Sequence, residues 1–384
     1  MKALRFERKV AKFAAASVAG RLSAGKGATV GPLSLKDVAE PNLPADDWVR
    51  LRPLLAGICG SDLATIDGHS SRYFEPIVSF PFTPGHEVVG RLDDDSRSVL
   101  IPVLSCVTRG IDPVCPACAE GRTNHCGRIA FGHLEPGLQS GYCEDTGGGW
   151  SASMVAHPSQ LLPVPDGLSD EAAVMVEPTA CAVHAARTVA GRGEHALVAV
   201  IGTGTLGLLT IAALKAEASI ETLLATGKHA HQKSRAADLG ADQVVAPREL
   251  ARVIRSLTGS FVLDGGQLTG GVDLVVDCVG SEASLTQALK VVAPGGEVLV
   301  VGMPGHVTLD LTTLWHRETA VRGCYAYTRP DFDQALGLVA DAGLERLLSA
   351  TYPLARYTEA VEHAANAGAR GAVKVAFDLR KPSR

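Results

Sequence analysis

The sequence of 384 residues lacks any uninterrupted apolar run of about 18 residues or more, so we expect no membrane-spanning helix. It also lacks a long basic run: 36 lysines and arginines stand against 41 aspartates and glutamates, a net charge of −5. Nucleic acid is therefore not an expected partner. Internal repeats and low-complexity tracts are missing too. With 46% apolar and 20% charged residues, the composition predicts a soluble, cytoplasmic globular enzyme.

The nine cysteines are an odd number, in a chain long enough to build a core without cross-links. Four of them cluster between positions 106 and 126. Clustered cysteines in an intracellular enzyme bind metal more often than they form disulfides. We therefore expect a metal site in this segment.

The pattern of the chain changes near its middle, and its length favours two domains. From Lys36 to about Pro165, short alternating segments broken by proline and glycine predict a β-rich, barrel-like domain. From Ala196 onward, strands and helices alternate, which predicts a parallel, doubly wound α/β sheet. The first residues, Lys2–Gly20, are interpreted as an irregular lead-in.

A glycine cluster follows the apolar run 196–201, as expected for a dinucleotide-binding turn. Gly202 permits the tight turn, Gly204 lets the backbone approach a pyrophosphate, and Gly207 allows the helix to pack closely on the strand. Thr205 and Leu206 lie at the start of that helix, whose N-terminus favours phosphate. The pattern predicts a nicotinamide cofactor.

Three distant segments offer ligands for a catalytic zinc: Gly57–Asp62 carries Cys59, Pro84–Glu87 carries His86, and Val176–Pro178 carries Glu177. A thiolate, an imidazole and a carboxylate can hold Zn²⁺ with one position open for substrate. Glu87 is interpreted either as an acid behind the ligands or as an occasional direct ligand. Zinc with a nicotinamide cofactor predicts oxidation of an alcohol or reduction of a carbonyl.

In this order, these residues resemble the zinc-dependent branch of the medium-chain dehydrogenase/reductase superfamily, from about Lys36 to Asp378. The stretch Glu177–Ala185 is more similar to the sorbitol and glucose dehydrogenase type than to the alcohol dehydrogenases with a cysteine at position 177. The resemblance implies a GroES-like catalytic domain at 1–178, a Rossmann domain at 179–324, and a return to the catalytic domain at 325–384. It also implies a homodimer or homotetramer.

Cys115, Cys118 and Cys126 match the last three ligands of the structural zinc lobe in this family. The first cysteine of that lobe would fall at Asp112. We favour Cys106 as the fourth ligand, because a set of four thiolates suits zinc better than an exposed carboxylate mixture. A degenerate lobe without metal is the alternative.

The proton route departs from the family pattern. Ser61 is placed to bond the substrate oxygen and pass its proton outward. Family members often have a histidine shortly afterwards, where this chain has Ala64. His69 or water is the expected substitute.

The cofactor is predicted to be NADP rather than NAD. In an NAD enzyme, an acidic residue about 20 positions beyond the glycine turn holds the ribose 2′-hydroxyl. Here that position is Gly227, followed by Lys228 and His229, with His231, Lys233 and Arg235 nearby. Cations beside a 2′-phosphate form charge-assisted pairs.

The leading hypothesis is a zinc-dependent oxidoreductase acting on an alcohol, polyol or sugar hydroxyl, or on the matching carbonyl. Two alternatives share its fold: a zinc-independent reductase, and a non-catalytic nucleotide-sensing or scaffold protein. The complete set of Cys59, His86 and Glu177 argues against both. The substrate itself is not readable from the sequence.

Overall fold

The structure, a computed structural model, describes residues 1–380. The last four positions of the segment predicted at 325–384 lie outside the described residues. The strands are β1 (Lys2–Phe6), β2 (Leu33–Asp37), β3 (Val49–Gly57), β4 (Val88–Arg91), β5 (Arg97–Leu100), β6 (Met154–Ala156), β7 (Leu161–Pro163), β8 (His195–Ile201), β9 (Ile220–Thr226), β10 (Gln243–Val245), β11 (Val272–Asp277), β12 (Val292–Val300), β13 (Ala320–Gly323), β14 (Leu348–Tyr352) and β15 (Lys374–Asp378).

The α-helices are short, and several begin at a residue in extended conformation. They are α1 (Val10–Leu22), α2 (Gly27–Val30), α3 (Gly60–Ile66), α4 (Pro116–Ala119), α5 (Asp170–Ala173), α6 (Val176–Ala190), α7 (Thr205–Glu217), α8 (Ala230–Asp238), α9 (Leu250–Thr258), α10 (Glu282–Val291), α11 (Thr312–His316), α12 (Arg329–Asp341) and α13 (Tyr357–Ala365). Short 3₁₀ helices span Arg72–Ile77, Thr123–His125, Pro158–Gln160, Pro247–Glu249, Leu344–Leu347 and Leu354–Arg356. Among residues 1–380, none of the helices has both the length and the apolar character that crossing a bilayer requires.

The chain divides into two compact units. The first comprises Met1–Glu177 and the segment from Tyr327 onward, and the second is Pro178–Ala326. In the first unit, a sheet has the strand order β14-β15-β3-β4-β5-β7, and β6 pairs with β3. The returning strand β15 lies antiparallel to β3, with Ala376 opposite Gly57. Because of this pairing, β15 lies beside the strand that leads to Cys59.

The N-terminal lead-in is ordered, so the interpretation of Lys2–Gly20 as irregular was wrong. Strand β1 pairs antiparallel with β2, with Lys2 opposite Asp37. Helix α1 follows because alanine is the strongest helix former, and six of its 13 residues are alanine or leucine. Its Ala16 is fully buried, and its Phe13 packs against the core of the first unit. This packing fixes the segment, whose weak periodicity concealed the helix.

The second unit is the predicted doubly wound α/β fold. Its sheet has the order β10-β9-β8-β11-β12-β13, and every pairing in it is parallel. The central strand β8 is buried over its last five residues, as expected for a strand covered on both faces. The fold class predicted from the sequence is confirmed, and the glycine loop leaves this central strand at Gly202.

Candidate functional site

The start of helix α3 determines the position of Cys59. It is the N-cap of α3, in extended conformation (φ −88°, ψ 158°), and Oδ2 of Asp62 accepts its backbone N–H at 3.0 Å. A carboxylate at the third helical position satisfies an N–H that would otherwise lack a partner, which fixes the turn. The sequence Cys-Gly-Ser-Asp therefore sets the position of the Cys59 side chain locally.

His86 and Glu87 directly precede β4, and their side chains are buried at 4% and 1% exposure. The potential ligand atoms of Cys59, His86 and Glu87 all lie within 4.8 Å of one another. A sulfur, an imidazole nitrogen and a carboxylate oxygen gathered in a buried site are the donor types that zinc selects. The first unit thus brings together two of the three predicted ligands, Cys59 and His86, with Glu87.

The surroundings of His86 fit a metal ligand. Its Nδ1 is a buried atom without a hydrogen-bond partner in the described chain, and it lies 3.6 Å from Oδ1 of Asp62. Burial lowers the pKa of His86, but the charges of Asp62, Cys59 and Glu177 raise it by more, to well above its ordinary value. The anionic groups around this imidazole attract a cation, and a carboxylate near a metal-bound histidine is a common arrangement.

Glu177 lies in the first turn of α6 and is 4% exposed. Its Oε1 accepts a hydrogen bond of 2.7 Å from the Tyr327 hydroxyl. Burial raises the pKa of Glu177 to about 7, against the opposing charge of His86. Glu177 is not in the group of residues within 4.8 Å, although its charge acts on His86. Its role as the third ligand stays a prediction.

Ser61 follows Cys59 in the first turn of α3, among other hydroxyl groups. The buried Tyr142 hydroxyl donates to Oδ1 of Asp62 at 3.3 Å, and it also interacts with the hydroxyls of Thr65 and Ser61. The Thr65 hydroxyl lies 2.9 Å from that of Ser70. His69, the predicted substitute in the proton route, is exposed. The structure thus surrounds Ser61 with hydroxyl groups of residues that the sequence did not single out.

The second cysteine group forms in the same unit. The sulfurs of Cys106, Cys115, Cys118 and Cys126 all lie within 4.8 Å of one another. The Sγ atoms of Cys106 and Cys126 are 3.6 Å apart, and Sγ of Cys106 accepts the backbone N–H of Cys115 at 3.3 Å. Backbone N–H groups of Cys118 and Gly127 lower the pKa of the Cys115 thiol to about 6. Cys106, and not Asp112, is the residue that the chain brings to this group.

The glycine loop of the second unit has the expected backbone. Gly202 has φ +93°, and a Cβ at Gly207 would lie 1.8 Å from the Gly202 carbonyl oxygen, so neither position tolerates a side chain. Gly204 is the N-cap of α7, and a Cβ there would meet nothing within 4 Å. Thr205 and Leu206 form the first turn of α7. This open space before a helix N-terminus is where a phosphate fits.

Gly227 follows the last residue of β9 and is buried. A Cβ at this position would lie 2.9 Å from Oγ1 of Thr203 and 3.0 Å from Cγ of Lys233. Lys228 is exposed, and His229 is the N-cap of α8, with its ring 5.8 Å from that of His231. The end of β9 therefore carries basic side chains and no carboxylate.

Two family models match the chain. The model of the alcohol dehydrogenase GroES-like domain matches residues 45–166, and that of the zinc-binding dehydrogenase matches residues 205–341. The first match includes every predicted metal ligand except Glu177. The second match begins at the first residue of the helix after the glycine loop. The chain belongs to the zinc-dependent medium-chain dehydrogenase/reductase superfamily.

Relatives of this superfamily member are similar over most of their length. L-idonate 5-dehydrogenase of Vitis vinifera is 29% identical, covering 90% of this chain and 92% of the relative. Sorbitol dehydrogenase of Arabidopsis thaliana is 29% identical, with 91% and 93% covered. A crystal structure of a zinc-binding dehydrogenase from Sinorhizobium meliloti 1021 bound to NADP has a TM-score of 0.72, 24% identity and 98% of both chains covered. The similarity to this crystal structure supports the fold described for the chain.

Several residues around the candidate metal centre of this dehydrogenase were not singled out from its sequence. Asp62 could have been found, since it stands at the capping position after Cys59. Tyr142, Tyr327 and Lys374 could not, because each reaches the centre from a distant segment. Lys374 forms a buried ion pair with Glu87, whose predicted role was open.

Proposed function

We propose that this superfamily member is a zinc-dependent dehydrogenase that moves a hydride between a hydroxyl-bearing carbon of a small polyol or sugar and a nicotinamide cofactor. The observation that carries the proposal is the buried group of Cys59, His86 and Glu87 in a chain that also has the complete glycine loop. The relatives named for idonate and sorbitol favour a polyol-like substrate over a simple alcohol. Ala64, where family members often have a histidine, is the one feature that favours the non-catalytic alternative, and no observation favours the zinc-independent one.

Cys59, His86 and Glu177 are proposed to hold the catalytic zinc, with Glu87 beside them. When bound, zinc supplies a Lewis acid that lowers the pKa of a hydroxyl in its open position by several units. The residues of the chain supply the rest: the Asp62 carboxylate, 3.6 Å from Nδ1 of His86, stabilises positive charge at the imidazole, and Tyr327 holds the Glu177 carboxylate through its 2.7 Å hydrogen bond. Burial of these groups keeps water from competing with the substrate.

Ser61 is proposed to accept the proton of the substrate hydroxyl. From Ser61, the proton passes to the Tyr142 hydroxyl, which interacts with both Ser61 and Thr65, and then from Thr65 to Ser70. Hydroxyl groups can donate and accept at once, so such a chain needs no histidine. His69, whose side chain is exposed, stays a predicted acceptor at the outer end of this route.

We assign the catalytic role to the first unit and cofactor binding to the second. The cofactor-binding residues are proposed to be Gly202, Gly204, Thr205, Leu206, Gly207, Gly227, Lys228 and His229. NADP is the preferred cofactor, because Gly227 offers no carboxylate and Lys233 lies against it. A cytoplasmic location and a homodimer or homotetramer stay predictions of the sequence.

The test of the activity is a screen of alcohols, polyols and sugars with NADP and NAD, following the absorbance of the reduced nicotinamide. Turnover of at least one polyol or sugar, lost on treatment with a zinc chelator and regained with zinc, is the expected result. A protein that contains zinc and oxidises none of these substrates, nor reduces the matching carbonyl compounds, would contradict the proposal.

Cys106, Cys115, Cys118 and Cys126 are proposed to bind a structural zinc, so the purified protein should contain two zinc ions per chain. Cys118→Ser is expected to remove one of them and to destabilise the protein, because a structural zinc contributes folding energy. A loss of about 3 kcal/mol is expected, similar to that from breaking other covalent or metal cross-links. Thermal unfolding and metal content measure both effects.

The rate per correctly folded molecule should stay within about threefold of wild type in Cys118→Ser, because distant sites act independently. Cys143→Ser is the matched control: Cys143 is a buried thiol of this unit that lies outside the four-sulfur group, whereas Cys118 is half-buried. It should keep both zinc ions. An unchanged metal content in Cys118→Ser would show that the lobe binds no metal.

A further inference from the structure

A buried lysine lies beside the candidate metal centre. Lys374 is the first residue of β15 and is 2% exposed. Its Nζ forms an ion pair with Oε2 of Glu87 and donates to the carbonyl of Ile58, the residue before Cys59, at 3.2 Å. Lysine is almost never fully buried unless its charge is paired. Its position between Glu87 and the Cys59 segment therefore calls for a function.

The Glu87 carboxylate is held from a second side as well. A Cβ at Gly57 would lie 1.9 Å from Oε2 of Glu87, so only glycine leaves room for this carboxylate. The Gly57 N–H donates to the Glu87 carbonyl at 2.8 Å, which fixes the two backbones together. Both Gly57 and Lys374 thus contribute to one fixed position of the Glu87 side chain.

Lys374 offsets one negative charge of the centre. A Cys59 thiolate with the carboxylates of Asp62, Glu87 and Glu177 carries −4, a zinc ion adds +2, and Lys374 adds +1, which gives −1; without the lysine the sum is −2. Asp62 has hydrogen-bond donors in the Cys59 N–H and the Tyr142 hydroxyl, whereas Lys374 is the cation paired with Glu87. Burying an uncompensated charge is costly, so the lysine stabilises the centre.

We propose that Lys374 is a positioning residue for the metal centre: its ammonium group neutralises Glu87, holds this carboxylate beside the zinc ligands, and lowers the negative charge of the zinc-bound centre by one before substrate binds. An alkoxide then adds its negative charge to a centre that carries −1 rather than −2. Like charges in a buried site disfavour each other, so this arrangement favours deprotonated substrate. The inference rests on the proposed function, because it assumes zinc at Cys59, His86 and Glu177.

The test compares Lys374→Met with wild type in the full-length protein. Without the lysine, the centre attracts the cation more strongly but accepts the alkoxide less readily. Zinc should therefore be released to a competing chelator at about tenfold higher chelator concentration, while kcat/KM falls about 10- to 100-fold. Lys374→Arg, which keeps the charge, should restore both values to within about threefold. The zinc bound at this centre is identified as the zinc that the wild-type protein contains and the Cys59→Ser variant lacks.

Glu87→Gln and the double variant complete the cycle. Glu87→Gln leaves Lys374 without its counter-ion, so zinc should be lost about tenfold more readily, and adding Lys374→Met should bring retention back to within about threefold of wild type. A purely structural lysine would instead weaken zinc binding in both single variants. If Lys374→Met does not fold, the comparison of Glu87→Gln with the double variant decides by itself.

Lys26→Met is the matched control, since it removes a lysine from the exposed ion pair with Glu362 in the same unit. It should change neither zinc retention nor kcat/KM. Unchanged or weakened zinc retention in Lys374→Met, or no recovery in the double variant, would overturn the proposal. A wild-type protein that contains no zinc, but whose activity still depends on Cys59, would instead contradict the proposed function.

Discussion

Cys59→Ser and His86→Ala are each expected to reduce turnover at least about 1,000-fold, because the loss of a metal that stabilises developing charge costs several kcal/mol in the transition state. Both variants should remain folded. They should also bind the nicotinamide cofactor as wild type does, since neither residue belongs to the unit that carries the glycine loop. Steady-state kinetics, circular dichroism and calorimetric titration with NADP measure the three properties.

Cys143→Ser is the matched control for Cys59→Ser. Its thiol is buried in the same unit but lies outside the group with His86 and Glu87. Turnover within about threefold of wild type is expected for this variant, since a substitution that leaves the site intact acts on stability alone. Wild-type rates in Cys59→Ser or in His86→Ala would exclude a zinc mechanism at this centre.

Gly227→Asp is expected to lower kcat/KM with NADP at least about 100-fold, because a carboxylate next to the 2′-phosphate juxtaposes like charges at a cost of several kcal/mol. The same carboxylate can accept a hydrogen bond from the ribose 2′-hydroxyl of NAD, so kcat/KM with NAD should rise. The measurement is kcat/KM with each cofactor for both proteins. Wild type itself should prefer NADP.

Gly227→Asn separates charge from size in this experiment. A side chain at position 227 has to displace Lys233, since a Cβ would lie 3.0 Å from its Cγ and 2.9 Å from the Thr203 hydroxyl. Asparagine has the same shape as aspartate without the charge, so its effect on NADP use should stay below about tenfold. If both variants lose NADP equally, displaced packing is the cause; if wild type prefers NAD, the predicted cofactor is wrong.

The second unit could be predicted from the sequence because its signals are local. The apolar run 196–201 corresponds to β8, and Gly227, predicted to stand where an NAD enzyme has an acidic residue, directly follows β9. Strand length, glycine position and helix start depend on neighbours a few residues apart, so a window of sequence contains them. The helix α9 was not predicted, although its apolar residues have the spacing of a helix that buries one face. Its Leu250 and Ile254 are buried.

The first unit was less predictable, since its segments depend on partners far along the chain. The helix α1 lies in a segment whose alanines gave little periodicity, and contacts of Phe13 and Ala16 with the core fix it. The spacing of Cys115 and Cys118 is a local signal for a metal site. The fourth member of that group had two candidates, Cys106 and Asp112, and only the fold selected Cys106.

By itself, the sequence determined the superfamily, the fold class, the glycine loop and the identity of the residues offered to a metal. Those features are carried by short motifs, in which the physical requirement and the residues that meet it are adjacent. Only the tertiary structure decided how Glu87 is held and what surrounds Ser61 and Glu177. Lys374 and Ile58 are separated by 316 positions, and the pairing of β15 with β3 brings them together. Such a contact depends on the burial and charge balance of the whole core, and no local pattern encodes it.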